Sequence, residues 1–270
     1  MEKTQLPQQI TGRDTTLDAV KGIGIILMVL GHAGVPFHDF IYLFHMALFF
    51  MVSGYLWSDS KVTDLPTAGK YLLSRLKGLL LPYALCNGIF TLLQNPLNRL
   101  LINPVTAVDL SWKQTAVNLV KNMLFAGDTY MGGATWFLRT LFFVYAAHTV
   151  IRYLVCHIKW GKALFGIVLA VNLVATVFID HTGLSLPMGI SACFSAYCVF
   201  LLGMLLRKLD FLHRLRRFDL PIAIACFVAL CLLTPFGPIG IGIGSIGNLP
   251  LFFTASLLGF LMTYCAARCC

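Results

Sequence analysis

Residues 17–37 read LDAVKGIGIILMVLGHAGVPF, and this stretch decides the fold. Its middle is apolar enough for a bilayer, yet Asp18 and Lys21 lie near one end and His32 near the other. Lys21 and His32 are eleven residues apart. At about 100° per residue that is three turns plus about 20°, so the two side chains share a helix face, about 16 Å apart along the axis. Asp18, Ile25 and Met28 fall on the same face, and Gly22, Gly24 and Gly31 flank it, where they allow neighbouring helices to approach. Ionisable groups in a membrane segment are costly and usually face a bundle interior or a wet cavity. The helix is therefore expected to point this face inward, as one wall of a site.

The composition agrees with a membrane reading. The chain has 270 residues, 58% hydrophobic and only 11% charged, with a mean hydropathy of +0.82. Soluble domains carry about 25% charged residues, and a chain this short cannot bury so much apolar surface by itself. Eight helical spans are expected, at about 17–37, 41–57, 77–94, 134–152, 163–180, 188–206, 219–236 and 248–266. Helix is the expected spanning element, since lipid offers no partner to open backbone groups. The fold class is thus all-α, a polytopic transmembrane bundle in one domain over 1–270.

The net charge of +9 is distributed by side rather than concentrated for nucleic acid. With the N-terminus inside, fifteen of the twenty lysines and arginines fall on inner segments and three, Arg99, Lys113 and Lys121, on outer loops. Lys21 and Arg139 lie within spans. This positive-inside bias places both termini in the cytoplasm and the basic loops against anionic lipid heads. The polar first thirteen residues have no small-residue cleavage site behind the first apolar run, so no cleaved leader is expected. The nine cysteines show no metal spacing and read as free structural thiols. The outer 112–125 stretch alternates apolar and polar residues and reads as an interfacial helix. The loop GPIGIGIGSIGN at 237–248 reads as a flexible outer connection.

Several side chains invite chemistry, each with a plainer reading beside it. A neutral imidazole at His32 suits proton removal from a hydroxyl; the plainer role is a hydrogen bond to a neighbouring helix. Lys21 either snorkels to the headgroups or pairs with Asp18 at the foot of a site. In FHMALFFMVSGYLW, 44–57, His45 lies near the outer end, so the His32 and His45 imidazoles can approach each other. Ser53 and Gly54 mark a place for close helix contact or a bend. In YLLSRLKGLLLPY, 71–83, Arg75 and Lys77 are either inner anchors or a phosphate clamp. In TWFLRTLFF, 135–143, Trp136 suits the aromatic belt, and Arg139 is either a snorkelling anchor or a group that holds an acidic or hydroxyl-rich substrate.

The stretches RDTTLDAVKGIGIILMVLGH, FHMALFFMVSGYLW and RLKGLLLPY, with TWFLRTLFF more weakly, together resemble the integral-membrane acyltransferases of acyltransferase family 3, in particular the fucose 4-O-acetylase-like branch. The resemblance covers about the first 150 residues; beyond them only the hydropathy agrees. The family's first-helix signature is a basic residue, ten intervening residues and a histidine, which Lys21 and His32 match, although arginine is the commoner basic residue there. The resemblance implies transfer of an acetyl or other acyl group from cytosolic acetyl-CoA to a hydroxyl of an extracytoplasmic sugar or glycolipid, in the inner membrane of a bacterium. It makes His32 the catalytic general base and Lys21, Arg75 and Lys77 the residues for the CoA end. His45, Trp136 and Arg139 are then candidates for the acceptor side, with Asp18, Ser53 and Gly54 in support and no metal. Family members commonly have about ten helices, so a chain of eight that stops at YCAARCC is expected to be a short or truncated form. A small-solute transporter and a non-catalytic membrane scaffold are the other classes; incubation with labelled acetyl-CoA separates all three.

Overall fold

The computed structural model describes residues 14–100, 109–127, 133–214 and 217–269. Among these the chain is helical throughout, with no strand and one isolated bridge between Gly240 and Ser245. Six helical segments are long and apolar enough to cross a membrane: Thr15–His32, Leu65–Arg99, Gly161–Thr182, Pro187–Lys208, Asp219–Phe236 and Leu249–Cys269. Eight spans were expected, and the difference lies in two places. The second span is broken into two short helices, and the helix Trp136–His157 is 22 residues long but carries Arg139 and Arg152.

The first helix, α1 (Thr15–His32), starts at Asp14, whose side chain accepts a hydrogen bond from the Leu17 amide at 3.2 Å. It ends where Gly34 turns the backbone to φ +68° ahead of Pro36. Its buried stripe is Leu17, Val20, Gly24 and Gly31. Then come α2 (His38–Tyr42) and α3 (His45–Tyr55), interrupted at Leu43 and Phe44. The interruption seats the Phe44 ring where a Cβ on Gly259 would be. A large side chain has taken the space of a small one, and the helix breaks to let it.

The next helix begins twelve residues before the expected start of the third span. In α4 (Leu65–Arg75), Asp64 and Thr67 form a capping box and Pro66 occupies the first turn. A π turn (Leu76–Leu80) joins it to α5 (Leu81–Arg99). Pro82 has no N–H to give, and the Leu81 amide reaches back five residues to the Leu76 carbonyl. The 35-residue run Leu65–Arg99 is about 52 Å long and overruns a hydrocarbon core of about 30 Å.

The short α6 (Trp112–Met123) is helical over the stretch read as an interfacial segment, with Trp112, Val120 and Met123 exposed. Its inner edge is tied down by Asn122, whose amide donates to the Thr91 hydroxyl at 2.9 Å. The rest of the bundle is α7 (Trp136–His157), α8 (Gly161–Thr182), α9 (Ser191–Lys208), α10 (Phe211–Arg214), α11 (Asp219–Leu233) and α12 (Leu249–Cys269).

At the centre, α3 lies directly on α9. A Cβ on Gly54 would collide with the Phe200 carbonyl, and one on Gly203 with the Met51 carbonyl, so the two backbones touch at reciprocal glycines. Around this seam sits the core, with Phe44, Phe50, Phe200, Phe252 and Phe260 fully buried. The 237–248 loop is also packed, contrary to the flexible connection its glycines suggested. Ile239, Ile241 and Ile246 are buried, the Ile246 amide donates to Asp180 Oδ1 at 2.7 Å, and Gly240 pairs with Ser245. The glycines serve close approach here; a Cβ on Gly242 would meet the Trp136 indole at 2.8 Å.

Candidate functional site

α1 packs on α3 and α12, and its small residues receive side chains from α3 and α2. A Cβ on Gly24 would meet Phe49 at 2.9 Å, and one on Gly31 would meet the Tyr42 ring at 3.0 Å. Lys21 and His32 share a face as their spacing requires, but that face is not turned into the bundle. It lies beside the packed stripe: His32 is exposed, and Ile25 between them is 52% exposed. The spacing fixes which residues share a face, whereas the glycines choose which face packs. Gly22, by contrast, has nothing near it.

The two ends of α1 carry different chemistry. At the amino-terminal end Lys21 Nζ pairs with Asp18 Oδ1 at 3.2 Å, half-exposed. At the other end, four aromatic side chains gather. The Tyr42 hydroxyl lies 3.5 Å from His32 Nδ1, with the rings edge to face at 6.1 Å. His38 stacks on the Tyr42 ring at 4.0 Å and pairs through Nδ1 with Asp39 Oδ1 at 2.9 Å. His45 also lies against Tyr42, tilted to its ring with centroids 4.6 Å apart, and is itself buried. Its Nδ1 donates to the Ile41 carbonyl at 3.0 Å, which fixes that proton on Nδ1. The two imidazoles anticipated from the sequence are thus linked by Tyr42. Neither Tyr42 nor His38 was a candidate by sequence, although HDFIY follows the first span within a few residues and is unusually polar for a re-entry into lipid.

The 237–248 loop reaches this end as well, with the Ile239 amide donating to the Tyr42 carbonyl at 3.3 Å. The same loop seats Trp136, which is half-buried, so Trp136 and Tyr42 lie under one cover. Arg139, one turn further along α7, is buried and engaged with the chain itself. Its Nη1 donates to the Tyr83 hydroxyl at 2.9 Å and to the Phe125 carbonyl at 3.2 Å, with the guanidinium over the Tyr83 ring. Tyr83 in turn donates to the Gly127 carbonyl. Arg139 therefore ties the α6–α7 connection to α5.

A second cluster lies at the opposite end of the bundle, where α3 finishes. The Arg75 guanidinium rests over the rings of Tyr71 and Tyr145, 5.2 and 5.5 Å from their centroids. Tyr145 hydrogen-bonds Ser53. Arg75 Nε and the Tyr71 hydroxyl are shielded from solvent and have no hydrogen-bond partner. Lys61 Nζ donates to the Leu56 carbonyl at 3.0 Å, and Arg207 Nη1 to the Tyr55 and Trp57 carbonyls at 3.1 and 2.8 Å, so two cations meet the carbonyls at and just past the end of α3. Burial and the neighbouring Arg75 and Arg207 charges hold the Lys61 pKa below the ordinary lysine range. Lys77 is exposed on the π turn.

His148, on α7 one turn before Arg152, was overlooked in the sequence although it is an ionisable residue in mid-span. It is buried, bonded through Nδ1 to the Tyr197 hydroxyl at 3.0 Å, and its ring meets Trp57 edge to face at 4.6 Å. The described cysteines are all unpaired, and no group of three or more His, Cys, Asp or Glu gathers with metal-holding geometry among the described residues.

No solved structure matches the chain. One curated relative, the nodulation protein NolL of Sinorhizobium fredii (strain NBRC 101917 / NGR234), is 48% identical over 61 residues, 18% of this chain and 17% of the relative. The chain thus matches only about a sixth of the length of that relative. The family model described as an acyltransferase domain matches residues 14–268, from the cap of α1 into the last turn of α12. A match over that length covers every helix that builds either cluster, and the chain belongs to this acyltransferase family.

Proposed function

We propose that the protein transfers an acetyl group from acetyl-CoA to a hydroxyl of a sugar or glycolipid on the far side of a bacterial inner membrane, with His32 as the general base. The observation that carries the reading is the exposed imidazole at one end of α1, three turns from the Lys21–Asp18 pair, in a chain of this acyltransferase family. His32 takes the proton of the acceptor hydroxyl as its oxygen attacks the thioester carbon. The new ester C–O bond forms, the C–S bond breaks, and the imidazolium returns its proton to the CoA thiolate. Lys21, near the amino-terminal end of α1, and Arg75, in the cluster where α3 finishes, suit the phosphates of the donor. Lys77 adds charge nearby on the surface. His45 and Trp136 border the acceptor side.

The test is transfer of labelled acetyl from acetyl-CoA into endogenous glycan of membrane vesicles. His32→Ala is expected to lower turnover about 10²–10⁴-fold, the usual contribution of a general base, with the protein still expressed and folded because the side chain is exposed. Retention of more than half of the turnover removes His32 from the mechanism.

A further inference from the structure

The Tyr42 side chain is held from more directions than packing at a helix end requires. Its ring lies in the space a Cβ on Gly31 would need, the residue directly before His32, and it is stacked by His38 on one side and approached by His45. Its carbonyl is held by the Ile239 amide. The one part of the side chain directed at His32 is the hydroxyl, 3.5 Å from Nδ1. The titratable side chains that gather here are His32, His38, Asp39, Tyr42 and His45. Two of these have their polar contacts elsewhere: His38 with Asp39, and His45 through Nδ1 with the Ile41 carbonyl.

We infer that Tyr42 is the positioning residue of His32, its phenol oxygen accepting from Nδ1–H and so leaving the Nε2 lone pair free to act as base. This rests on the reading of His32 as the base. Which imidazole nitrogen carries the proton is set by the hydrogen bond that the other ring atom makes, and a base must present an unprotonated nitrogen to the acceptor. As the acceptor proton arrives at Nε2, the ring becomes cationic and the Nδ1–H bond to the phenol strengthens. The 3.5 Å separation is at the outer limit for a hydrogen bond, and catalytic contacts of this kind tighten when the reacting groups are in place. Tyr42 then contributes without touching the substrate. Gly31 belongs to the same device, because a Cβ there would press on the Tyr42 ring at 3.0 Å and shift the phenol beside the neighbouring imidazole.

Tautomer and turnover are measured together on the full chain. With ¹⁵N-histidine in lipid nanodiscs, and the His32 signal assigned by its loss in His32→Gln, the neutral imidazole is expected to carry its proton on Nδ1. In Tyr42→Phe that preference is expected to disappear, and acetyl incorporation into vesicle glycan to fall about tenfold to a hundredfold in kcat, with the KM for acetyl-CoA unchanged. In a His32→Ala background Tyr42→Phe should change nothing further, a non-additivity that a merely structural tyrosine would not produce. If Tyr42→Phe fails to fold, 3,5-difluorotyrosine at position 42 keeps the shape while making the phenol a stronger donor and weaker acceptor. It should move the proton toward Nε2 and slow transfer. An unchanged tautomer, or full turnover in a folded Tyr42 variant while His32→Ala is inactive, overturns the positioning role and leaves the base reading intact. Full turnover in His32→Ala overturns both.

Discussion

The α3–α9 seam and the open side of α1 are built from the same small residue to opposite ends. At the seam, Gly54 and Gly203 bring two backbones into contact and leave no room for a methyl group. On α1, Gly24 and Gly31 receive side chains from α3 and α2, while Gly22 faces open space. Glycine in the first case removes a side chain so that helices can meet; in the second it makes a seat for someone else's ring. The central pair thus specifies the bundle, and the edge helix is left with its ionisable residues exposed and accessible. The tight backbone packing and the exposed ionisable residues are carried by different helices.

The largest effect that would test this contrast is at the seam. Gly54→Ala drives a methyl group into the Phe200 carbonyl, where no flexible side chain can yield. The loss is expected to exceed the roughly 1–3 kcal/mol of ordinary core overpacking, read as failure to yield a monodisperse protein in detergent. Gly22→Ala on the open side should do the reverse, keeping the fold and gaining up to about 1 kcal/mol from helix propensity. Equal behaviour of the two variants would erase the distinction.

Lys21 sharpens the comparison at its functional end. If it binds the donor, Lys21→Ala should weaken CoA binding about tenfold, the scale of one lost charge-assisted hydrogen bond, while Lys21→Arg keeps most of it. Inactive His32→Ala is the background, so that turnover does not enter the measurement. Unchanged CoA affinity would return Lys21 to the role of a headgroup anchor. The smallest effect is expected at Asp64, exposed at the start of α4. The Thr67 amide and hydroxyl hold its carboxyl below the usual carboxylate range. A depressed carboxyl stabilises the fold above its ordinary pKa, and this stability is lost as pH falls through the folded value. Thermal melts of wild type and Asp64→Ala should therefore differ slightly at neutral pH and converge in acid.

Hydropathy made the helical bundle legible, because lipid leaves the backbone few alternatives. The start of α4 was legible as well, in Asp64, Pro66 and Thr67, but the span ruler looks only for apolar runs and passes over a polar helix that continues an apolar one. The break at Leu43 and Phe44 was not readable, since it depends on Gly259, more than two hundred residues away. The periodicity of α1 placed Lys21 and His32 on one face correctly; it could not say what that face meets. At the candidate site, His32 stood out as an imidazole in an apolar run, while Tyr42 did not. A tyrosine at a helix end is common in membranes, and its value here comes from Gly31, His38 and Ile239, none adjacent to it in sequence. The isoleucines between the glycines of 237–248 were the neglected sign that this loop packs.

The reciprocal glycine contact between α3 and α9 also has a mechanical meaning. A seam of side chains can yield by degrees, one rotamer at a time, as packed helices slide in shear motions. A seam of backbone against backbone has no rotamers and no slack: Gly54 meets the Phe200 carbonyl and Gly203 the Met51 carbonyl, about one turn apart, like a pair of dowels. Sliding or rolling either helix drives a carbonyl into the other, so α3 and α9 form one rigid strut. Any rearrangement of the bundle has to leave that strut whole and take place in the helices around it.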